Sequence, residues 1–142
     1  MTISRRNLAI LLPALAAKAQ TPPAQDPVLP SRVYHSSALP YSGDAKKKGR
    51  RFFRGTEHSG FILESHETVL GPGITTHPPH KHEHDEFAII VEGTAEAHLD
   101  GRTETVEAGS VVFFASNRMH NLRNAGEVPC RYYVIELRGK QT

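Results

Sequence analysis

A histidine-rich segment gives this sequence its clearest chemical signal. The chain has 142 residues and nine histidines, four of which lie between residues 77 and 84. On an extended strand His80 and His82 point to the same side and can bind one ion, and Glu86 shares their parity. A fourth ligand must come from elsewhere in the fold, and His120, at the start of a later strand, is the candidate. The pattern therefore predicts a metal site of His80, His82, Glu86 and His120.

This ligand set restricts the metal and the chemistry. Three neutral imidazoles and one carboxylate suit Mn, Fe, Ni, Co, Cu or Zn better than Ca or Mg. Four protein ligands leave open positions on a six-coordinate ion, as a catalytic or ligand-binding metal requires. Glu86, as a loosely held ligand, and His84 are the candidate proton-transferring residues. For His84 a role beside the metal and a position in a solvated loop are equally plausible. For His77 we favour the solvated loop.

The segments around these residues have the pattern of an all-β domain. Turn signals recur at short spacing and no segment has a helical period. Asp100-Gly101, between two alternating runs, is the strongest hairpin signal because both residues tolerate positive φ. With no helix to cover a sheet face, about eight strands must close as a barrel or a double-sheet jelly roll. The candidate strands are residues 59–70, 74–76, 86–91, 94–99, 103–106, 110–114, 120–124 and 131–137.

Two spaced motifs resemble those of the cupin superfamily. The first, His-x-His, three residues, Glu, six residues, Gly, is matched by His80, His82, Glu86 and Gly93. The second is matched by Gly109, Ala115, Asn117, His120 and Asn124. Ala115 and Asn117 replace the family's Pro and Gly, but Asn tolerates the left-handed conformation, so we expect the turn to be kept. The resemblance covers residues 59–137 and implies a double-stranded β-helix (jelly-roll) barrel with the metal inside its mouth, without implying one reaction.

The N-terminal region divides the chain into three parts. Residues 1–19 have a charged start with Arg5 and Arg6, an apolar stretch too short to span a bilayer, and a small-residue cleavage site. This segment resembles a twin-arginine signal peptide, so we expect a periplasmic protein with no membrane anchor after cleavage. A general secretory signal or a retained helix are the alternatives. We expect residues 20–50 to form a Pro-rich, basic arm and residues 51–138 to form the barrel.

Charge argues against a nucleic-acid partner. Without the expected leader, 14 basic residues face 15 acidic ones, and such a near-neutral domain is a poor polyanion binder. Residues 46–54 carry six cations. They could form an anion-binding patch or lid, but we interpret them as a solvated loop that enters the first strand.

Several other residues carry expectations about burial. We expect His98 to lie on the surface and Cys130 to be a small buried apolar group. For His66 we favour a surface position, although its place on a strand would also allow it to line the pocket. A dry wall around the open metal positions is expected from Ile74, Val91, Val112, Phe114 and Leu122.

Two functions from different classes fit these observations. The first is a metal-dependent enzyme that acts on a small oxygenated molecule such as a flavonoid, enol or hydroxy acid. A redox metal would make it a dioxygenase-like oxidoreductase and a Lewis-acidic metal an isomerase. The alternative is a non-catalytic module that captures a small ligand. An apolar run at residues 132–135 makes a homodimer possible.

Overall fold

The fold is built almost entirely from β-strands. The computed structural model describes residues 25–140, so the expected export signal at residues 1–19 lies outside the described residues. A single 3-10 turn, Ser36–Ala38, precedes the strands. The strands are β1 (Ser42–Gly43), β2 (Lys47–Thr56), β3 (Phe61–Leu70), β4 (Asp85–Glu92), β5 (Thr94–Leu99), β6 (Arg102–Glu107), β7 (Val111–Phe114), β8 (His120–Asn124) and β9 (Cys130–Lys140).

These strands form two antiparallel sheets. The larger has the order β1, β2, β3, β9, β4, β7, and the smaller has the order β6, β5, β8. Their apolar inner faces form one core of Leu70, Ala88, Ile90, Ala95, Ala97, Val112, Phe114, Leu122, Cys130, Tyr132 and Val134. The all-β jelly-roll prediction is confirmed. Within residues 25–140, no helix is long and apolar enough to cross a membrane.

Local sequence signals account for several of these elements. In β7 every second side chain is buried, which is the period-two pattern of a strand with one face on the core. Asp100 and Gly101 have φ values of 49° and 82°, and they join β5 to β6 as the predicted hairpin. Asn117 adopts φ 59°, so the left-handed turn before β8 is kept without glycine. The predicted strand at residues 74–76 is wrong, because Thr75 makes only an isolated bridge to Arg123.

The basic segment is a strand, not the solvated loop that we expected. β2 begins at Lys47, so it also crosses the boundary placed after residue 50. Arg51 donates to Glu64 at 3.0 Å and Arg54 donates to the same carboxylate at 2.9 Å. Glu64 is 6% exposed and therefore needs these cationic partners. The arginines are committed to internal ion pairs, which also argues against an anion-binding patch or lid.

The arm packs on the outer face of β2 and β3. Leu29 N donates to Thr56 O at 2.9 Å, and the ring of Tyr34 lies 5.0 Å from that of Phe53. Further along, the Tyr41 hydroxyl donates to Glu67 at 3.0 Å.

Glu67 is the most deeply buried charge on this outer face. Its side chain is 0% exposed, and it pairs with Arg50 and, at 3.1 Å, with Arg131. Burial raises the pKa of Glu67, but the hydrogen bonds from Arg50, Arg131 and Tyr41 outweigh it and hold the pKa below its ordinary value. This network fixes the arm and three strands to one another.

Candidate metal centre

The predicted metal ligands lie together in a cavity of about 340 Å³ between the sheets. Its lining combines polar and apolar side chains. The polar side chains include the four predicted ligands with His66, His77, His84, Asn121, Glu136 and Arg138. The apolar ones are Phe114, Leu122, Tyr132 and Val134.

Backbone pairing holds the two parts of the site in register. His80 and His120 exchange backbone hydrogen bonds of 3.1 and 2.8 Å, although one lies before β4 and the other on β8. Asn117 N donates to His82 O at 2.7 Å, so the turn before β8 also fixes the second histidine. The three imidazoles each have a ring nitrogen within 4.8 Å of the others. Three nitrogen donors from two distant parts of the chain thus lie close together.

The ring orientation is set by backbone carbonyls. His82 Nδ1 donates to His84 O at 2.9 Å, and His120 Nδ1 donates to Arg118 O at 2.8 Å. His80 Nδ1 lies 3.3 Å from His120 O and donates to it. In a neutral imidazole, a proton on Nδ1 leaves a lone pair on Nε2. The carbonyls therefore select the tautomer in which each Nε2 can bind a metal, as they do in many metal sites.

His120 provides the test of whether a metal fits. The side chain is 2% exposed, and within the described residues its Nε2 is buried with no hydrogen-bond partner. A buried polar atom without a partner is costly, and such atoms are rare in folded proteins. Burial also lowers the pKa of His120, which keeps the lone pair free. The donor set and this orphaned nitrogen fit a transition-metal ion.

Glu86 lies against one edge of the three-histidine group. Its carboxylate is 3.2 Å from His82 Nε2, and it forms an overlapping ligand group with His82 and His84. Because His82 carries its proton on Nδ1, both facing atoms are hydrogen-bond acceptors. A proton or a metal cation must lie between them for this contact to be favourable. Burial, followed by the nearby Glu136 carboxylate, raises the pKa of Glu86.

His84 lies beside the metal-binding group and lines the cavity, so it is not a solvated loop residue. Its ring stacks on His82 with centroids 3.5 Å apart, and its Nε2 is 3.3 Å from Glu136 Oε2. Burial, followed by the charge of Arg138, lowers the pKa of His84 to about 4. His84 is therefore neutral at pH 7, and its Nε2 lies beside the Glu136 carboxylate.

Two further histidine predictions are wrong. His66, expected on the surface, lines the cavity from the inner face of β3. His77, expected to be solvated, also lines it, with its ring centroid 4.0 Å from that of His80. Both errors arise because the cavity extends past the ligands toward β3 and the loop before His80.

The predicted dry wall is only partly correct. Phe114 and Leu122 line the cavity, but Val112 and Ile74 pack into the core. Val91 lies at a register shift in the pairing of β4 with β9 and does not reach the cavity wall.

The expectations for His98 and Cys130 are confirmed. His98 pairs with Glu96 at 3.1 Å and is partly exposed on β5. Cys130 is fully buried, and burial raises the pKa of its thiol to about 11, so it is unreactive.

Sequence reasoning missed Glu136. This carboxylate is 8% exposed, bonded to Arg138, and lies directly across the sheet from Glu86. A signal was present, because Glu136 shares the parity of the buried Tyr132 and Val134 in an apolar strand. A charge at a core position of a strand indicates a function or a buried ion pair.

Comparison with known proteins agrees with this architecture. The chain resembles a predicted oxalate decarboxylase from Thermotoga maritima, with a TM-score of 0.63 and 19% identity over 76% of this chain and 100% of that one. It also resembles KdgF from Halomonas sp., with a TM-score of 0.65 and 16% identity over 77% and 96%. The polyketide cyclase RemF from Streptomyces resistomycificus matches with a TM-score of 0.61 and 21% identity over 80% and 83%. These likenesses establish the fold.

A family match covers the strands and loops that carry the site. Residues 66–136 match the Cupin_2 family of cupin domains. This range contains all four predicted metal ligands together with His66 and Glu136. The chain therefore belongs to the cupin domain family.

Proposed function

We propose that this protein is a metal-dependent enzyme that binds a small oxygenated molecule at one divalent transition metal and converts it. The observation that supports this most directly is the convergence of His80, His82 and His120, with the buried Nε2 of His120 making no hydrogen bond to any of residues 25–140. Glu86 is the fourth ligand in this proposal. Four protein ligands leave one or two coordination positions for a ligand with two neighbouring oxygens.

The residues of the chain would position and hold such a molecule. Lewis acidity is what a bound ion would supply, and it lowers the pKa of a coordinated hydroxyl group. Phe114, Leu122 and Val134 form the apolar wall that limits water beside the ligand.

The pair formed by His84 and Glu136 favours turnover over simple ligand capture. These two groups lie in the cavity next to His82, with 3.3 Å between His84 Nε2 and Glu136 Oε2. A neutral imidazole beside a carboxylate can accept a proton from a bound molecule on Nδ1, and the negative charge of Glu136 opposes the effect of burial on that protonation. A binding module has no need of such a group beside its metal.

Metal analysis and turnover assays test the two halves of this proposal. We expect about one equivalent of transition metal in the wild type and in His98→Ala, whose histidine is outside the cavity, and a severe loss in His82→Ala. Stoichiometric metal in a His80/His82 double variant would refute the site. Fe, Mn, Cu and Zn forms would then be assayed with hydroxy acids, enols and flavonoids. Tight binding with neither product nor oxygen uptake would replace the enzyme with a ligand-capture module.

The proposal includes export to the periplasm. It is supported by the charged start, the Arg5-Arg6 pair and the short apolar stretch that follows. Twin-arginine export moves folded proteins, which suits a barrel that must hold its metal before it leaves the cytoplasm.

A further inference from the structure

His66 occupies an unexplained position in the cavity. It lies on the inner face of β3, in the six-stranded sheet, whereas His120 lies on β8 in the opposing three-stranded sheet. Both side chains line the same cavity. A molecule between the sheets that contacts the metal-binding group would therefore have His66 on its other side.

The ring of His66 has no hydrogen bond within the described residues, which sets it apart from its polar neighbours. Other polar side chains that line the cavity donate hydrogen bonds to backbone carbonyls. These side chains are Lys47, Thr76, His77 and Asn121. Burial lowers the pKa of His66, so at pH 7 the ring presents one donor and one acceptor nitrogen.

The two nearest carboxylates do not use these nitrogens. Oxygens of Glu64 and Glu136 lie within 4.8 Å of a ring nitrogen of His66. However, Glu64 is bonded to two arginines of β2, and Glu136 is bonded to Arg138 and lies 3.3 Å from His84 Nε2. Because positive charge already balances both carboxylates, this group is a poor second cation site. The imidazole is left to face the cavity.

We propose that His66 recognises the bound molecule by hydrogen bonding to an oxygen beyond the pair that chelates the metal. The inference rests on the proposed function and narrows its substrate class to molecules with at least three oxygens, such as polyhydroxylated acids. His66 acts as a specificity-determining residue and contributes nothing to metal binding.

Matched acids test this assignment in the wild type. Lactate and glycerate differ by one hydroxyl group, and 2-hydroxybutyrate and 2,4-dihydroxybutyrate differ in the same way with a longer reach. Their affinities would be measured by calorimetry on protein loaded with whichever of Mn or Zn it binds stoichiometrically. In at least one pair we expect the hydroxylated acid to bind roughly threefold to tenfold more tightly, the effect of one neutral hydrogen bond.

Variants then assign the selectivity to the residue. His66→Phe keeps a planar ring but should reduce the preference to less than about twofold, and His66→Gln should restore part of it. The control His98→Phe, outside the cavity, should keep it. All variants should retain wild-type metal content.

The outcomes separate this inference from the proposed function. Equal affinities within both pairs, or a preference that persists in His66→Phe, would overturn the role of His66 alone. Metal loss in His66→Phe but not in His98→Phe would overturn it too, by placing the residue in the metal site. If none of the four acids binds to the metal-loaded protein, the inference about His66 fails, whereas the proposed function is decided by the metal analysis and turnover assays described above.

Discussion

Replacement of His120 by phenylalanine should separate metal binding from folding. The ring of His120 stacks on Phe114 with centroids 4.4 Å apart, and a phenyl ring can keep that packing. The change removes the buried, unpartnered Nε2, whose burial costs about 1–3 kcal/mol in the metal-free protein. It also removes the Nδ1 bond to Arg118 O, which contributes about 1 kcal/mol. The two effects nearly cancel, so metal-free His120→Phe should have a free energy of unfolding within about 1–2 kcal/mol of the wild type.

A truncation at the same position should behave differently. His120→Ala removes the ring from a site that is 2% exposed and leaves a cavity, at a cost of about 3 kcal/mol. Metal at a thousand times its dissociation constant should stabilise the wild type by about 4 kcal/mol and neither variant appreciably. Urea denaturation with and without metal, together with elemental analysis, measures each quantity. Stoichiometric metal in His120→Phe would refute the ligand assignment, and equal destabilisation of the two metal-free variants would refute the account of the orphaned nitrogen.

Three further predictions concern stability and export. Glu67→Gln should lower the free energy of unfolding at pH 7 by about 3 kcal/mol in urea denaturation, because the fully buried carboxylate is the charge partner of the half-buried Arg50 and one of the two partners of Arg131, whereas Glu104→Gln, at an exposed position, should have little effect. The folded state lowers the pKa of Glu67, so the stability that this carboxylate contributes is complete above its ordinary pKa near 4.5 and is lost as the pH falls through the folded-state pKa. The stability of Glu67→Gln should therefore depend less steeply on pH in the acid range than that of the wild type. An unchanged acid-unfolding profile would contradict this. Asn117→Ala should cost about 1 kcal/mol at φ 59° and Asn117→Gly should cost little, as judged by thermal unfolding. Replacing both Arg5 and Arg6 by Lys should block export while leaving the purified protein folded, and continued export in fractionated cells would indicate the general secretory route.

Parts of the fold could be predicted because their signals are local. Alternating burial in β7 and the Asp100-Gly101 turn depend on neighbouring residues only, and both are present as expected. His80 and His82 lie close together as their spacing predicts, although they are in the segment before β4 and not on the strand that the prediction assumed. His120 required one long-range assumption, which the backbone pairing of His80 with His120 supports.

The positions of the remaining cavity residues depend on strand pairings that cannot be read from the local sequence. Glu136 is in the site because β9 pairs with both β3 and β4, which places it opposite Glu64 and Glu86. His66 faces the cavity for the same reason. Neither strand order nor register can be read from one strand alone.

The basic segment, residues 46–54, shows what the sequence alone could not predict. The sequence determined the composition of residues 46–54, six cations with two aromatic residues, and this composition fits a solvated loop as well as a strand. In the tertiary structure a register shift between Arg51 and Phe53 changes the phase of the alternation, so Arg51 and Arg54, three residues apart, both reach Glu64. Arg50 points the other way and meets Glu67. The sequence thus determined which groups were available for metal binding and ion pairing. Only the pairing of distant strands decided which of these groups face each other, because buried charges from separate parts of the chain must be brought together as partners.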